Sequence, residues 1–307
     1  MSSKTFALCS IMSLSAGMSI AEAPQVAVDI APVHSLVARV MEGVGTPDLI
    51  IPAGASPHEY NLRPSEAASL QNADVVFWVS ASLTPWMKNA METLAEDAVV
   101  TELFEVEGAL KLPFRQWVLF EEHDDHEAHD DHEGHNHDGD DPHAWLSPDN
   151  AAVWLNAIAQ TLSKVDPDNA SQYYLNAAAG KKELRELSTK INGILAPFEG
   201  RNFIVFHDAY QYFEKAFDFY AAGAISLSDA RDPSPARIAK IQNRINEQNI
   251  SCILSEPQFN PNIVAAVASG SDVKMGILDP LGVGLELGET LYFQTLHNLA
   301  KALSDCL

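Results

Sequence analysis

Residues 166–197 read DPDNASQYYLNAAAGKKELRELSTKINGILAP and separate two halves of the chain with similar patterns. Apolar residues recur in this segment every three or four positions, which predicts one long helix that ends before the final proline. A helix of roughly 28 residues spans about 40 Å. Gly180 is a weak point within it, because glycine costs a helix about 1 kcal/mol relative to alanine. We expect a stiff linker helix over 166–196, since flexible linkers are usually rich in Gly and Ser.

Each half of the chain has four short apolar runs bounded by turn residues, with helical patterns between them. Near-continuous apolar runs are typical of strands buried on both faces of a parallel sheet. Strand–helix alternation therefore predicts an α/β fold, with two parallel-sheet lobes that carry helices on both faces. The long rigid helix joins the lobes, which are expected over 24–165 and 197–307. The predicted strands are 26–30, 49–51, 75–79, 99–103, 203–206, 220–225, 252–254 and 273–278.

The N-terminus has the pattern of a secretory signal peptide over residues 1–23. Lys4 gives a positive start, residues 6–20 are apolar and small, and Ala21-Glu22-Ala23 fits a small-x-small cleavage site. The apolar run is too short and too rich in Ser and Gly for a membrane span. Cys9 lies inside the run rather than after it, so a lipid anchor is not expected. We expect an exported, soluble mature protein.

Residues 121–141 read EEHDDHEAHDDHEGHNHDGDD and contain eleven acids, six histidines and no Lys or Arg. Imidazole is the commonest metal-ligand side chain, and such His-rich tracts are typical of metal binding. A solvated acidic loop is the alternative interpretation. The net charge of −23 argues against nucleic acid as a partner, because that recognition depends on Lys and Arg. The candidate secondary metal ligands are His123, His126, His129, His132, His135 and His137.

Four further polar residues occupy positions where ligands bind in open α/β sheets. His58, His207 and Asp279 each follow the end of a predicted strand, and His143 precedes a capped helix in the segment DPHAWLSPD. The carboxyl ends of parallel strands, facing each other from two lobes, form one cleft. Three imidazoles and one carboxylate would make a four-coordinate site for a divalent metal. A single histidine at a strand end is more often a hydrogen-bonded structural residue, so the prediction depends on the combination of the four residues.

Once the signal is removed, Cys252 and Cys306 are the two remaining cysteines. An even pair in an oxidising compartment suggests one disulfide, although two unrelated buried thiols would give the same sequence. A metal site built on these cysteines is not expected, because the chain lacks a CxxC spacing.

The chain resembles the zinc-binding periplasmic receptors of ABC importers, the ZnuA-type branch of the metal-binding solute receptors. The matching segments are GASPHEYNLRPS at 54–65, DPHAWLSPDNA at 141–151, FHDAYQYF at 206–213, SEPQF at 255–259 and LDPLG at 278–282. The resemblance implies metal bound between two α/β lobes by His58, His143 and His207, with Asp279 as the fourth ligand. It also implies a periplasmic location and a Cys252–Cys306 disulfide, and the acidic His-rich loop is a feature of the zinc branch.

Two positions refine the expected metal. Part of the family has Glu before the first histidine; here Pro57 stands there and Glu59 follows, which leaves Glu59 as a secondary candidate. Manganese receptors resemble the same pattern but place Glu at the position of His207. A third imidazole favours zinc over manganese, because manganese prefers harder oxygen ligands.

We therefore expect a zinc receptor, not an enzyme, that captures Zn²⁺ and delivers it to a membrane permease. The sequence has no GxxxxGK[ST] phosphate loop, so a separate ATPase subunit must supply the energy. We expect a monomer, with a periplasmic zinc chaperone as a further partner. The alternatives are a manganese receptor, a periplasmic zinc metallochaperone or sensor, an adhesin and, from another class, a zinc hydrolase. We expect the tract 121–141 to collect additional zinc weakly.

Overall fold

The computed structural model describes residues 23–115, 139–226 and 233–307. The predicted signal peptide, apart from its last residue, and the six tract histidines lie outside the described residues. Within the described ranges, no helix combines the length and the apolar character needed to cross a bilayer.

The first lobe contains a parallel four-stranded sheet in the order β2-β1-β3-β4. Each of its four strands was predicted, although the ends differ by a few residues. Two helices of this lobe begin at a proline, because proline's fixed φ suits the first helical turn. The elements are β1 Val26–Val28, α1 Ala31–Met41, β2 Asp48–Leu49, α2 Pro64–Gln71, β3 Val75–Trp78, α3 Pro85–Leu94 and β4 Val99–Glu102.

The second lobe repeats this arrangement with the strand order β6-β5-β7-β8. Side chains that alternate along β5 enter two different apolar clusters, so both faces of this sheet are covered. The two-lobed parallel α/β fold is therefore confirmed. The elements are β5 Phe203–His207, α6 Gln211–Phe217, β6 Gly223–Ser226, α7 Pro235–Glu247, β7 Cys252–Ser255, α8 Pro261–Ala268, β8 Lys274–Ile277 and α9 Leu291–Cys306.

The outer strands differ from the expectation of full burial. Val99 in β4 is 47% exposed, and Ile277 in β8 is 63% exposed. Both strands lie at the edge of their sheet. An apolar run in the sequence does not distinguish a central strand from an edge strand, which explains the difference.

Two consecutive helices join the lobes: α4 (Pro148–Val165) and α5 (Ala170–Leu195), of which α5 has 26 residues. The Ser147 hydroxyl accepts the N–H of Asn150 at 3.2 Å and caps α4. Gly180 is a packing position rather than a defect, because a Cβ there would lie 3.0 Å from the Leu155 side chain. Tyr174, one of the apolar residues of α5, is 50% exposed.

The last helix ties the two lobes together. Near its start, the Tyr292 amide donates to the Ser35 hydroxyl at 2.9 Å, and the Tyr292 hydroxyl donates to the Trp145 carbonyl at 2.7 Å. At its end, Cys306 forms a disulfide with Cys252 of β7, so the predicted pairing is confirmed. One apolar cluster continues from the first lobe through α4 and α5 into the second. The lobes thus share a core, while the boundaries at 165 and 197 stay predictions.

Candidate metal centre

Three of the predicted ligands converge between the lobes. The candidate ligand atoms of His58, His143 and His207 all lie within 4.8 Å of one another. The ring centroid of His143 is 5.4 Å from that of His58 and 5.2 Å from that of His207. Among the described residues, this is the one cluster of three or more His, Cys, Asp or Glu with such spacing.

His143 is oriented by a carboxylate two residues before it. Asp141 Oδ1 accepts the His143 amide at 3.0 Å and the His143 Nδ1 at 2.7 Å. Asp141 is fully buried, and burial raises the pKa of its carboxyl to about 6, while the His143 amide and Gln211 oppose this rise. The short acceptor bond assigns the hydrogen to Nδ1, which leaves the Nε2 lone pair for a metal.

His207 is oriented in the same way from a neighbouring strand. It ends β5, and Glu256 directly follows β7, which pairs with β5 in parallel. Glu256 Oε1 lies 2.6 Å from the His207 Nδ1, and both side chains are buried. The Phe259 ring packs edge-on against the imidazole, with the centroids 5.4 Å apart. His207 therefore also presents Nε2 to the cleft.

The two buried imidazoles are at coordination distance. The Nε2 atoms of His143 and His207 are 3.4 Å apart. Two nitrogens that each lie about 2.0–2.1 Å from a tetrahedral zinc ion are separated by about 3.3 Å. The separation of 3.4 Å thus matches that of two imidazole nitrogens bound to one zinc ion. The pair is therefore arranged for a small cation.

His58 reaches the cluster on a loop that follows β2. The Trp86 Nε1–H donates to the Pro57 carbonyl at 2.9 Å and fixes the loop on its own lobe. From the other lobe, Gln258 Nε2 donates to the Ala53 carbonyl at 3.2 Å. His58 is half-buried, in contrast to the other two histidines, each of which is only 5% exposed. This ligand is the most accessible of the three.

The space between the ligands is small. The cleft encloses a cavity of about 20 Å³. A cavity of this size has room for one water molecule or a bare ion, and not for an organic substrate. Trp145, Phe259, Pro280 and Leu281 contribute apolar walls beside the three histidines.

The other two predicted ligands lie outside the cluster. Asp279 Oδ1 accepts the amides of Leu281 and Gly282 at 3.0 and 3.1 Å, and its Oδ2 accepts the Val283 amide at 2.5 Å. These bonds oppose the rise in the pKa of Asp279 that burial causes. Glu59 is exposed and does not line the cavity. Coordination by Asp279 or Glu59 stays a prediction.

The carboxylates that orient the histidines were missed from the sequence. Glu256 lies in the quoted segment SEPQF, and its position at the end of a strand was the available signal. Asp141 was grouped with the solvated acidic tract, yet it is 0% exposed and forms part of the cleft. Because Asp141 is the last residue of the acidic tract, its separate role was not recognised from the sequence.

A cavity for one small cation, enclosed between two parallel-sheet lobes, defines a bilobed metal-binding receptor. Residues 26–306 match the family described as "ZnuA: Zinc-uptake complex component A periplasmic". The chain belongs to this ZnuA family, which confirms the resemblance inferred from the sequence segments.

Curated relatives agree with this assignment. The high-affinity zinc uptake system protein ZnuA of Brucella abortus (strain 2308) is 40% identical, and the match covers 95% of this chain and 94% of the relative. The protein of the same name from Paracoccus denitrificans is 39% identical, with 94% and 93% covered. A crystal structure of ZnuA has a TM-score of 0.76 at 22% identity and covers 92% of this chain and 99% of its own. That structure supports the fold.

Replacing Glu256 by Gln tests how the cleft orients its ligands. We expect Glu256→Gln to weaken zinc binding about 10-fold, because outer-shell partners of ligating histidines typically contribute 10- to 100-fold to metal affinity. The measurement is competition with a chromophoric zinc chelator. Glu102→Gln is the matched control, since Glu102 ends β4 and accepts the Ala81 amide at 3.0 Å outside the cavity wall. Equal affinities for the two variants would contradict the role of Glu256.

Proposed function

We propose that this protein is the zinc receptor of an ABC importer, which captures Zn²⁺ in the periplasm and delivers it to the membrane permease. Membership in the ZnuA family supports the transport role. The observation that carries the choice of metal is the convergence of three imidazoles on one small cavity.

Three nitrogen ligands favour zinc over the manganese alternative. Imidazole suits zinc, whereas manganese favours carboxylate, carbonyl and water oxygens. Manganese receptors with a similar sequence pattern have Glu at the position of His207. Here that position supplies an imidazole nitrogen, and the hydrogen bond to Glu256 orients it toward the cavity. We infer that His58, His143 and His207 form the primary zinc site.

The geometry argues against the hydrolase alternative. A catalytic zinc needs an open position and room for a substrate beside it. The cavity of about 20 Å³ has no such room. ZnuA-family proteins are transport components, so the protein is not an enzyme.

The family implies the other components of an ABC zinc transporter as partners. We propose that this receptor acts as a monomer and docks on the permease, while a separate ATPase subunit supplies the energy. A periplasmic zinc chaperone that exchanges zinc with the receptor is a further proposed partner.

The His-rich tract is proposed as an accessory zinc collector. Its six imidazoles and many carboxylates offer ligands of the types that bind zinc. A collector tethered beside the cleft raises the local concentration of zinc there. In the alternative role the tract senses zinc excess, which would not change the rate at which the cleft is loaded.

Two single substitutions separate the cleft from the tract. We expect His207→Ala to weaken the tightest zinc-binding event by more than about 100-fold, because even an outer-shell partner contributes 10- to 100-fold. We expect His132→Ala to leave that event unchanged, since His58, His143 and His207 all remain in place. Isothermal titration calorimetry measures both variants. Comparable losses of affinity would contradict the separation of the two sites.

A deletion tests the collector role, and the structure determines which residues can be removed. Removal of 121–141 would also remove Asp141 and so disturb His143. The deletion should instead replace 116–138 with a short Gly-Ser linker, since the Phe114 amide bonds the Gly139 carbonyl at 3.3 Å. We expect unchanged cleft affinity and slower loading from chelated zinc, measured by stopped flow.

A full-length variant with the six tract histidines replaced by Asn is the matched control for chain length and acidity. It should load as slowly as the deletion variant. Loading as fast as in the wild type by both variants would contradict the collector role.

A further inference from the structure

The described residues on either side of segment 116–138, which carries the six tract histidines, form a small paired element. We call this element, residues 112–115 and 139–141, the stem. Pro113 and Asp140 form an antiparallel bridge. The Phe114 amide donates to the Gly139 carbonyl at 3.3 Å, and the Asp141 amide donates to the Leu112 carbonyl at 2.7 Å. The described chain segments on either side of residues 116–138 are therefore held side by side.

The stem docks on helix α6 of the second lobe. The buried Tyr212 hydroxyl accepts the Leu112 amide at 2.9 Å and donates to the Asp141 carbonyl at 2.8 Å. One hydroxyl thus joins both strands of the stem to the helix. Gln211 Nε2 lies 3.1 Å from both the Pro113 carbonyl and Asp141 Oδ2.

A buried ion cluster fastens the same contact. Arg115 donates from Nε to both Asp208 oxygens, at 2.9 and 3.0 Å, and from Nη1 to Glu214 Oε2 at 2.6 Å. Asp208 is 6% exposed and Glu214 is 1% exposed. Burial raises the pKa of Glu214 to about 7, and the Arg115 charge opposes this rise. Removing one partner from such a cluster would leave an uncompensated buried charge, which would destabilise the contact.

The stem is connected to two of the three histidines. On one side, Asp141 belongs to the stem and holds His143 Nδ1. On the other side, Arg115 binds Asp208, the residue that follows His207. The chain that carries His143 is thus fastened to the lobe that carries His207 by contacts directly behind the cleft.

We propose that the stem is a positioning element for metal binding, which keeps His143 and His207 at coordination distance before zinc arrives. The inference rests on the proposed zinc-receptor function and extends it. A preorganised pair of ligands avoids the cost of ordering them during binding. Tyr212 and Gln211 are the positioning residues, and neither is a ligand.

The substitution Tyr212→Phe removes the hydroxyl that joins the stem to α6. We expect it to raise the zinc dissociation constant about 10-fold, in the range typical of outer-shell changes. Tyr173→Phe is the matched control, because Tyr173 is also fully buried and its hydroxyl donates to Asp166 at 2.7 Å, away from the cleft. The control should lose comparable thermal stability in the metal-free state and keep its zinc affinity.

A milder variant protects the test against misfolding. Gln211→Met keeps the length of a half-buried side chain and removes its amide group, the Nε2 donor together with the Oε1 acceptor. The visible absorption spectrum of the Co²⁺-loaded protein reports ligand geometry. We expect Tyr212→Phe and Gln211→Met to change this spectrum, whereas Tyr173→Phe leaves it as in the wild type.

The outcomes distinguish the proposal from the function on which it rests. Failure of the wild-type protein to bind Zn²⁺ tightly would contradict the zinc-receptor function itself. Tight binding by the wild type, together with unchanged affinity and Co²⁺ spectra in both stem variants, would overturn the positioning role alone. Weaker binding with altered spectra in the stem variants only would support it.

Discussion

The geometry of the metal centre depends on two carboxylate–imidazole hydrogen bonds: Asp141 to His143 at 2.7 Å and Glu256 to His207 at 2.6 Å. Each bond fixes a tautomer and turns an Nε2 lone pair toward the other lobe. The resulting separation of 3.4 Å suits two imidazole nitrogens that bind one zinc ion. The orientation of its ligands therefore makes the cleft suited to a small cation.

The scaffold keeps that arrangement because the lobes are not independent. A single apolar cluster spans both lobes, and α9 bonds the first lobe near its start and is linked by a disulfide to the second at its end. Trp145 adds a buried bond across the cleft, from its Nε1 to the Pro280 carbonyl at 2.9 Å. Wide hinge opening would break these contacts. Movement of the loop that carries the half-buried His58 offers an easier route for metal exchange than wide hinge opening does.

Much of the fold was predictable because its signals are local. Proline occupies the first position of α2, α3, α7 and α8, which is a local helix-start signal, and apolar runs located all eight described strands. His58 and His207 were found because they follow strands whose carboxyl ends converge in parallel sheets, whereas His143 was found in the segment before a capped helix. The carboxylates that bond those histidines were not found. The role of Glu256, for example, depends on its contact with a residue of a neighbouring strand, which the sequence does not show. Asp141 and Gly180 were misjudged for a related reason: burial and close packing are tertiary properties that composition does not reveal.

The most direct test of the central claim is zinc K-edge X-ray absorption on the protein with 116–138 replaced by a short linker. With one equivalent of zinc, we expect three imidazole nitrogens at about 2.0–2.1 Å and strong outer-shell scattering from their rings. A first shell composed mainly of oxygen, or one with fewer than three imidazoles, would contradict the assignment of His58, His143 and His207.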